Sequence, residues 1–313
     1  MSRQRMPIME DILGNRGVGL LKAGFDDGKY MALAVETKAE ADLYIGVINA
    51  ASDTDVVRIN AQAASDIYWH GDKDTYDVKE FGSLNLPYPN MWMEWQVTGN
   101  VKFKNNEVVN LTPGWHSAAY VQELDVETET IGVDPHAKHA FMVTPFIRQL
   151  EHSITGLCIN PQIVVSMDDL YRPISTRYLT MGGNWPSSDE VARRAADMFT
   201  AVCLAINLMH CRNVTVEDSG PIKYRQTTKE KRARAPRLEY KTITLPGGAY
   251  VSQPGKGEPG AAPLHRVRGH FKTYTAEAPL MGKHVGTYWW GWQVRGKSEN
   301  GVRVSDYKLG VPS

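Results

Sequence analysis

Residues 264–274 read LHRVRGHFKTY, so His265 and His270 flank Arg266 and Arg268, with Lys272 just beyond. Lys283 and His284 follow, and then GTYWWGWQVRG, which carries Trp289, Trp290, Trp292 and Arg295. Imidazole beside guanidinium suits phosphodiester cleavage without a metal, as in metal-independent ribonucleases. The imidazole moves protons near neutral pH and the guanidinium stabilises the charge of the transition state. On that reading His270, Arg268 and His284 are the catalytic candidates. The same cations can instead grip phosphates while an aromatic ring stacks on bases, as in single-strand binders. The binding residues are then Arg266, Arg268, Lys272, Lys283, Trp289 and Arg295, and the partner is RNA or single-stranded DNA. A third reading needs no ligand: the aromatics fill a core and the charges form its solvated face.

Strand alternation separates these side chains. If 264–275 is one strand, Arg266, Arg268, His270 and Lys272 share an accessible face, and Phe271 lies buried behind them with His265. The two histidines then point apart and do not jointly hold a metal, unless a bulge at Gly269 breaks the alternation. Tyr288, Trp290 and Trp292 share one face of the next strand, and Trp289 points the other way. Elsewhere, His136 and His139 in DPHAKHAF read as a surface loop, and Asp168-Asp169 in SMDDLYRP as a turn. Cys158, Cys203 and Cys211 form no C-x-x-C pair; the last two sit in an apolar helical run and read as buried thiols in a reducing cytoplasm. There is no G-x-G-x-x-G, P-loop or G-x-S-x-G motif, and neither a metal nor a cofactor is expected.

Charge marks where a partner would bind. The net charge is zero, but residues 223–313 hold 17 Lys and Arg against 6 Asp and Glu, while residues 1–222 hold 18 against 29. A basic end following an acidic body points to an anionic partner, or to the two parts packing on each other. The densest run is 223–237, KYRQTTKEKRARAPR, where Lys231, Arg232 and Arg234 are expected to be exposed and to bind nucleic acid. A Gly/Pro-rich loop follows at 246–263, then three strands at 264–275, 286–296 and 301–309. We therefore divide the chain into an acidic α+β body, 1–222, and a basic β-rich part, 223–313, which is able to complete the same domain.

The body reads as antiparallel strands around one long helix. MWMEWQV, SAAYVQELDV, AFMVTPFI and NPQIVVSM are β-branched and aromatic runs with no crossover helix between them, and KFKNNEVV looks like a hairpin. Glycines at 14, 17 and 19 keep any helix in 7–24 short, and 38–52 is helical to Asp53. The strongest helix is 188–211, with capping-box spacing at Ser187 and Glu190 and an apolar second half that must be buried. RNVTVED and RLEYKTITL read as strands. The fold class is α+β.

At 313 residues with 42% hydrophobic and 22% charged side chains, the chain has ample core material. No apolar run reaches the roughly eighteen residues of a membrane span, and the first residues contain no secretory signal. LNLPYPNMWMEW, NLMHCRNV, KEKRARAPRLEYKTITL and PLHRVRGHFKTYTAEAPLMGKHVGTYWWGWQVRG resemble uncharacterised proteins of tailed phages and bacterial mobile elements. The resemblance implies an origin, and with it the cytoplasm of a host cell, but no catalytic residue. The expectation from sequence is a phage-type nucleic-acid-interacting protein. Its counterpart from another class is a self-associating structural or virion-associated protein.

Overall fold

Pro87 and Pro89 keep a helix from running into Asn90, and large apolar side chains then alternate along strand after strand. The computed structural model describes residues 6–15, 46–70, 83–102, 108–129, 131–149, 158–159, 162–179, 188–224, 237–246, 263–267, 269–291, 293–295 and 297–303. The fold is α+β, with a large mixed sheet and few helices. Its contacts divide the chain into two units, residues 1–210 with 215–244, and residues 211–214 with 245–313.

In the first unit, β2 (Asn90–Lys102), β3 (Val108–Leu124), β4 (His139–Gln149), β6 (Gln162–Met167) and β7 (Pro173–Leu179) form an antiparallel series, and the short β5 (Cys158–Ile159) also pairs β4. The β2–β3 ladder runs from Asn90↔Gln122 to Lys102↔Val108, as a hairpin requires; the Asn105-Asn106 turn lies outside the described residues. A bulge interrupts the ladder between Val97 and Gly99. Gly114 faces it with φ 86°, where a Cβ would collide with the Val97 carbonyl oxygen.

One strand that the sequence reading passes over changes the topology. β1 (Val57–Asn60) pairs parallel with both β2 and β9 (Glu239–Thr244), and β8 (Thr215–Pro221) closes the sheet antiparallel to β9. A parallel neighbour needs a crossover, and helix α2 (Gln62–His70) lies in the connection between β1 and β2. The Gln62 side chain extends the ladder past the end of β1: its Oε1 accepts from Gln96 N at 2.8 Å, and its Nε2 donates to Gln96 O at 2.9 Å.

Helices cover both faces of the sheet. On one face Trp92, Ala118, Tyr120 and Phe146 pack with Met6, Ile8, Met9 and Ile12 of helix α1 (Pro7–Asn15) and with Ile48 and Ala51 of helical residues 46–51. On the other face, Trp115 meets Trp69 of α2 edge-on at 6.0 Å. Helix α3 (Ser188–Met209) packs beside α2 there and is buried throughout Met198–Leu208, with the Tyr68 hydroxyl bonded to Asp197. The arrangement is layered, where the sequence suggests strands wrapped around this helix.

Two buried ionisable side chains tie these layers together. Met6 is the N-cap of α1, since its carbonyl accepts from Glu10 N, but its side chain offers no acceptor. Glu94 of β2 supplies one, accepting from Ile8 N at 3.0 Å and Met9 N at 2.6 Å, with Trp92 Nε1 at 2.8 Å. Arg58 of β1 donates to the carbonyls of Val56, Ala51 and Asp53, satisfying the chain where helix 46–51 ends.

Candidate nucleic-acid interface

The stretch read as one strand over 264–275 is two strands in two sheets. β10 (Pro263–Val267) pairs β13 (Gln293–Arg295) antiparallel and β14 (Lys297–Arg303) parallel, whereas β11 (His270–Tyr274) pairs β12 (Gly286–Trp290) antiparallel. Arg268 lies outside the described residues, and Gly269 is buried at the break. A Cβ on Gly269 would sit 2.7 Å from the Trp289 indole, so only a glycine lets the chain pass beneath that ring. The continuous row Arg266, Arg268, His270, Lys272 is therefore not one strand face. Arg266 opposes Val294 in one sheet and His270 opposes Trp290 in another.

The β11–β12 register separates two faces. On the inner one, Phe271 opposes Trp289 with ring centroids 4.8 Å apart, and the Thr273 and Thr287 hydroxyls meet at 2.9 Å. Trp289 is 4% exposed. The sequence points to it as a base-stacking ring, but it is buried with Phe271 packed against it and Gly269 close by, and it serves the core of its unit. The outer face carries His270, Lys272 and Tyr274 from β11, and Tyr288 and Trp290 from β12. His270 and Lys272 are exposed, while the three aromatic rings are half-buried. Lys272 Nζ lies 4.9 Å from the Tyr274 ring centroid, and Tyr274 meets Tyr288 edge-on at 5.8 Å. Lysine over an aromatic face is a favourable cation–π contact and fixes both groups.

A separate segment, 211–214, secures the free side of β12. Arg212 N donates to Thr287 O at 2.8 Å. The Asn213 amide accepts from Trp289 N at 2.9 Å and donates to Trp289 O at 2.7 Å, taking the place of a strand neighbour. The exposed Arg212 side chain crosses Gly286. None of Arg212, Tyr274, Tyr288 and Trp290 was singled out as a site residue from the sequence. The alternation of Tyr288 and Trp290 against Trp289 was the available signal; nothing local marked Arg212.

Lys283 and His284 are exposed in the loop joining β11 to β12, where Leu280 and His284 exchange backbone hydrogen bonds of 2.8 and 3.0 Å. His284 lies past the Tyr274↔Gly286 pair and His270 at the opposite end of the strand, so roughly 13 Å or more of strand separates them. An acid and a base must reach the same phosphate at hydrogen-bond distance. That separation weighs against the two histidines acting on one phosphate. Arg295 opposes His265 and, like Arg266, is placed by backbone register alone. Lys231, Arg232 and Arg234 lie outside the described residues; of the residues that flank their segment, Ile222 N donates to Leu238 O at 2.8 Å.

The minor candidates are structural. Asp168 accepts from the Leu170 and Arg172 amides and from Arg172 Nε, building the β6–β7 turn and holding its carboxyl below the usual range. His139 stacks on Tyr171 at 3.8 Å, and His136 is exposed. Cys203 and Cys211 are buried thiols in no disulfide; burial raises both, Cys211 to about 12. Among the described residues no three His, Cys, Asp or Glu side chains are grouped as metal ligands, and no helix is long and apolar enough to cross a membrane. No protein-family model matches the chain, and no curated protein or solved structure is significantly similar to it.

Proposed function

We propose that this chain is a phage-type protein that interacts with RNA or single-stranded DNA in the cytoplasm of a host cell. The observation that carries this reading is the outer β11–β12 face, where His270 stands opposite Trp290 and Lys272 opposite Tyr288, with Tyr274 next along the strand. A lysine attracts phosphates, a histidine can hydrogen-bond them, and ring faces stack on bases without regard to sequence. The unit that bears this face holds ten Lys and Arg against four Asp and Glu. Purified protein should carry nucleic acid, seen as a raised absorbance ratio that nuclease treatment lowers, and should bind oligonucleotides less tightly as salt rises. Clean protein with salt-independent or absent binding would refute the reading.

Cleavage by His270, Arg268 and His284 is the finer alternative, and the separation of the two histidines weighs against it. The variant His270→Ala separates the cases. A binding face loses modest affinity, whereas an active site loses product and keeps its affinity, because an acid–base group contributes mainly in the transition state.

A second reading, a self-associating structural or virion-associated protein, draws on the edge strand β7. Its side chains Ile174 and Tyr178 are 46% and 36% exposed, and Leu170 in the preceding turn is 57% exposed. Exposed apolar edge strands are templates for pairing with another chain. Sedimentation showing oligomers that are concentration-dependent, indifferent to nucleic acid and abolished by Ile174→Lys with Tyr178→Lys would favour this reading.

A further inference from the structure

The outer β11–β12 face is organised in rungs. Trp290 stands opposite His270, Tyr288 opposite Lys272, and Gly286 opposite Tyr274. Gly286 has no side chain, and Arg212 fills the space, its Cγ and Nε each 3.1 Å from where a Cβ would be. Each rung thus brings a ring and a nitrogen-bearing group together by register: His270 opposite Trp290, Lys272 opposite Tyr288 with its ammonium over Tyr274, and Tyr274 opposite Gly286, where Arg212 passes. Neighbouring rungs are two residues apart, about 6.8 Å along the strand. That is close to the phosphate repeat of an extended polynucleotide, in which each step delivers one base and one phosphate. A duplex offers its phosphates but keeps its base faces stacked on each other, so the rings would have nothing to bind. A single strand offers both.

We infer that these three rungs form a three-nucleotide site for single-stranded nucleic acid, in which Arg212 contacts a phosphate from outside the hairpin. The inference rests on the nucleic-acid reading above and adds strandedness, footprint and a residue from a distant segment.

The test is fluorescence anisotropy of the full chain with labelled oligothymidylates of increasing length, and with a duplex, over a range of salt. Single strands should bind more tightly than the duplex. Arg212→Gln should lower the slope of log K against log salt by about 0.7, one phosphate contact on a single strand. Tyr274→Ala and Tyr288→Ala should each weaken binding roughly 5- to 150-fold, the range for one stacked base. Tyr274→Phe and Tyr288→Phe, which keep the ring, should restore it; loss in the Ala variants with recovery in Phe excludes misfolding as the cause. If wild-type protein shows no salt-dependent binding, the nucleic-acid reading itself falls. If wild-type binds but holds the duplex as tightly as the single strand, or if Arg212→Gln changes neither slope nor affinity, the rung site alone is overturned.

Discussion

Glu94 shows how one residue holds an element that lies far away in sequence. Burial raises its carboxyl against the pull of Trp92 Nε1 and the Met9 and Ile8 amides, and the outcome is about 7 against an ordinary 4.5. The folded chain therefore binds an extra proton between those two values. Stability from this group is complete below 4.5, declines as pH rises through about 7, and is level above it. The span is worth ~3 kcal/mol at 1.36 kcal/mol for each unit. Urea unfolding from pH 4 to pH 8 should show that decline relative to Glu94→Gln, which has no proton to lose; parallel pH curves for the two proteins would contradict it. Gly269 and Trp289 form the other case. The tryptophan looked like a ligand-stacking residue because a sequence displays an aromatic side chain without showing what lies against it.

At the scale of elements, α3 illustrates what periodicity reads well. Phe199, Val202 and Ile206 recur at core spacing and are 1%, 0% and 0% exposed. Phe199→Ala should cost roughly 3–5 kcal/mol, the usual range for a buried aromatic, with a melting midpoint lowered accordingly. An equally stable variant that had lost binding would make this helix part of a site. The strands β2, β3, β4 and β6 were readable for a similar reason, as alternation and turn residues are local signals. By contrast, β1 spans four residues, too few to show a period, and its place between β2 and β9 depends on parallel pairing across long connections. The 264–275 stretch failed differently. Its alternation continues through Gly269, but 263–267 and 270–274 pair in different sheets, and Gly269 sits close against the Trp289 ring.

Across the whole molecule, the charge asymmetry depends on where the units divide. The polybasic run 223–237 lies along the chain between β8 and β9, both strands of the acidic first unit, and the second unit keeps ten basic against four acidic residues. If the run binds nucleic acid as well, neutralising Lys231, Arg232 and Arg234 should reduce the salt slope by up to about three contacts, at ~0.7 each on a single strand. An unchanged slope would mean that these charges are balanced by the acidic residues of their own unit.

The sequence by itself determined the α+β class, the antiparallel series after Asn90, the apolar half of α3 and the basic character of the C-terminal unit. Each is set by neighbouring residues, by their period or by their charge. Only the tertiary structure assigned Glu94 to the N-terminus of α1, Gln62 to the edge of β2, Trp289 to the interior and Arg212 to the space beside Gly286. Those assignments join residues distant along the chain. The physical cause is the need of buried backbone groups and ring faces for partners, which local sequence does not name.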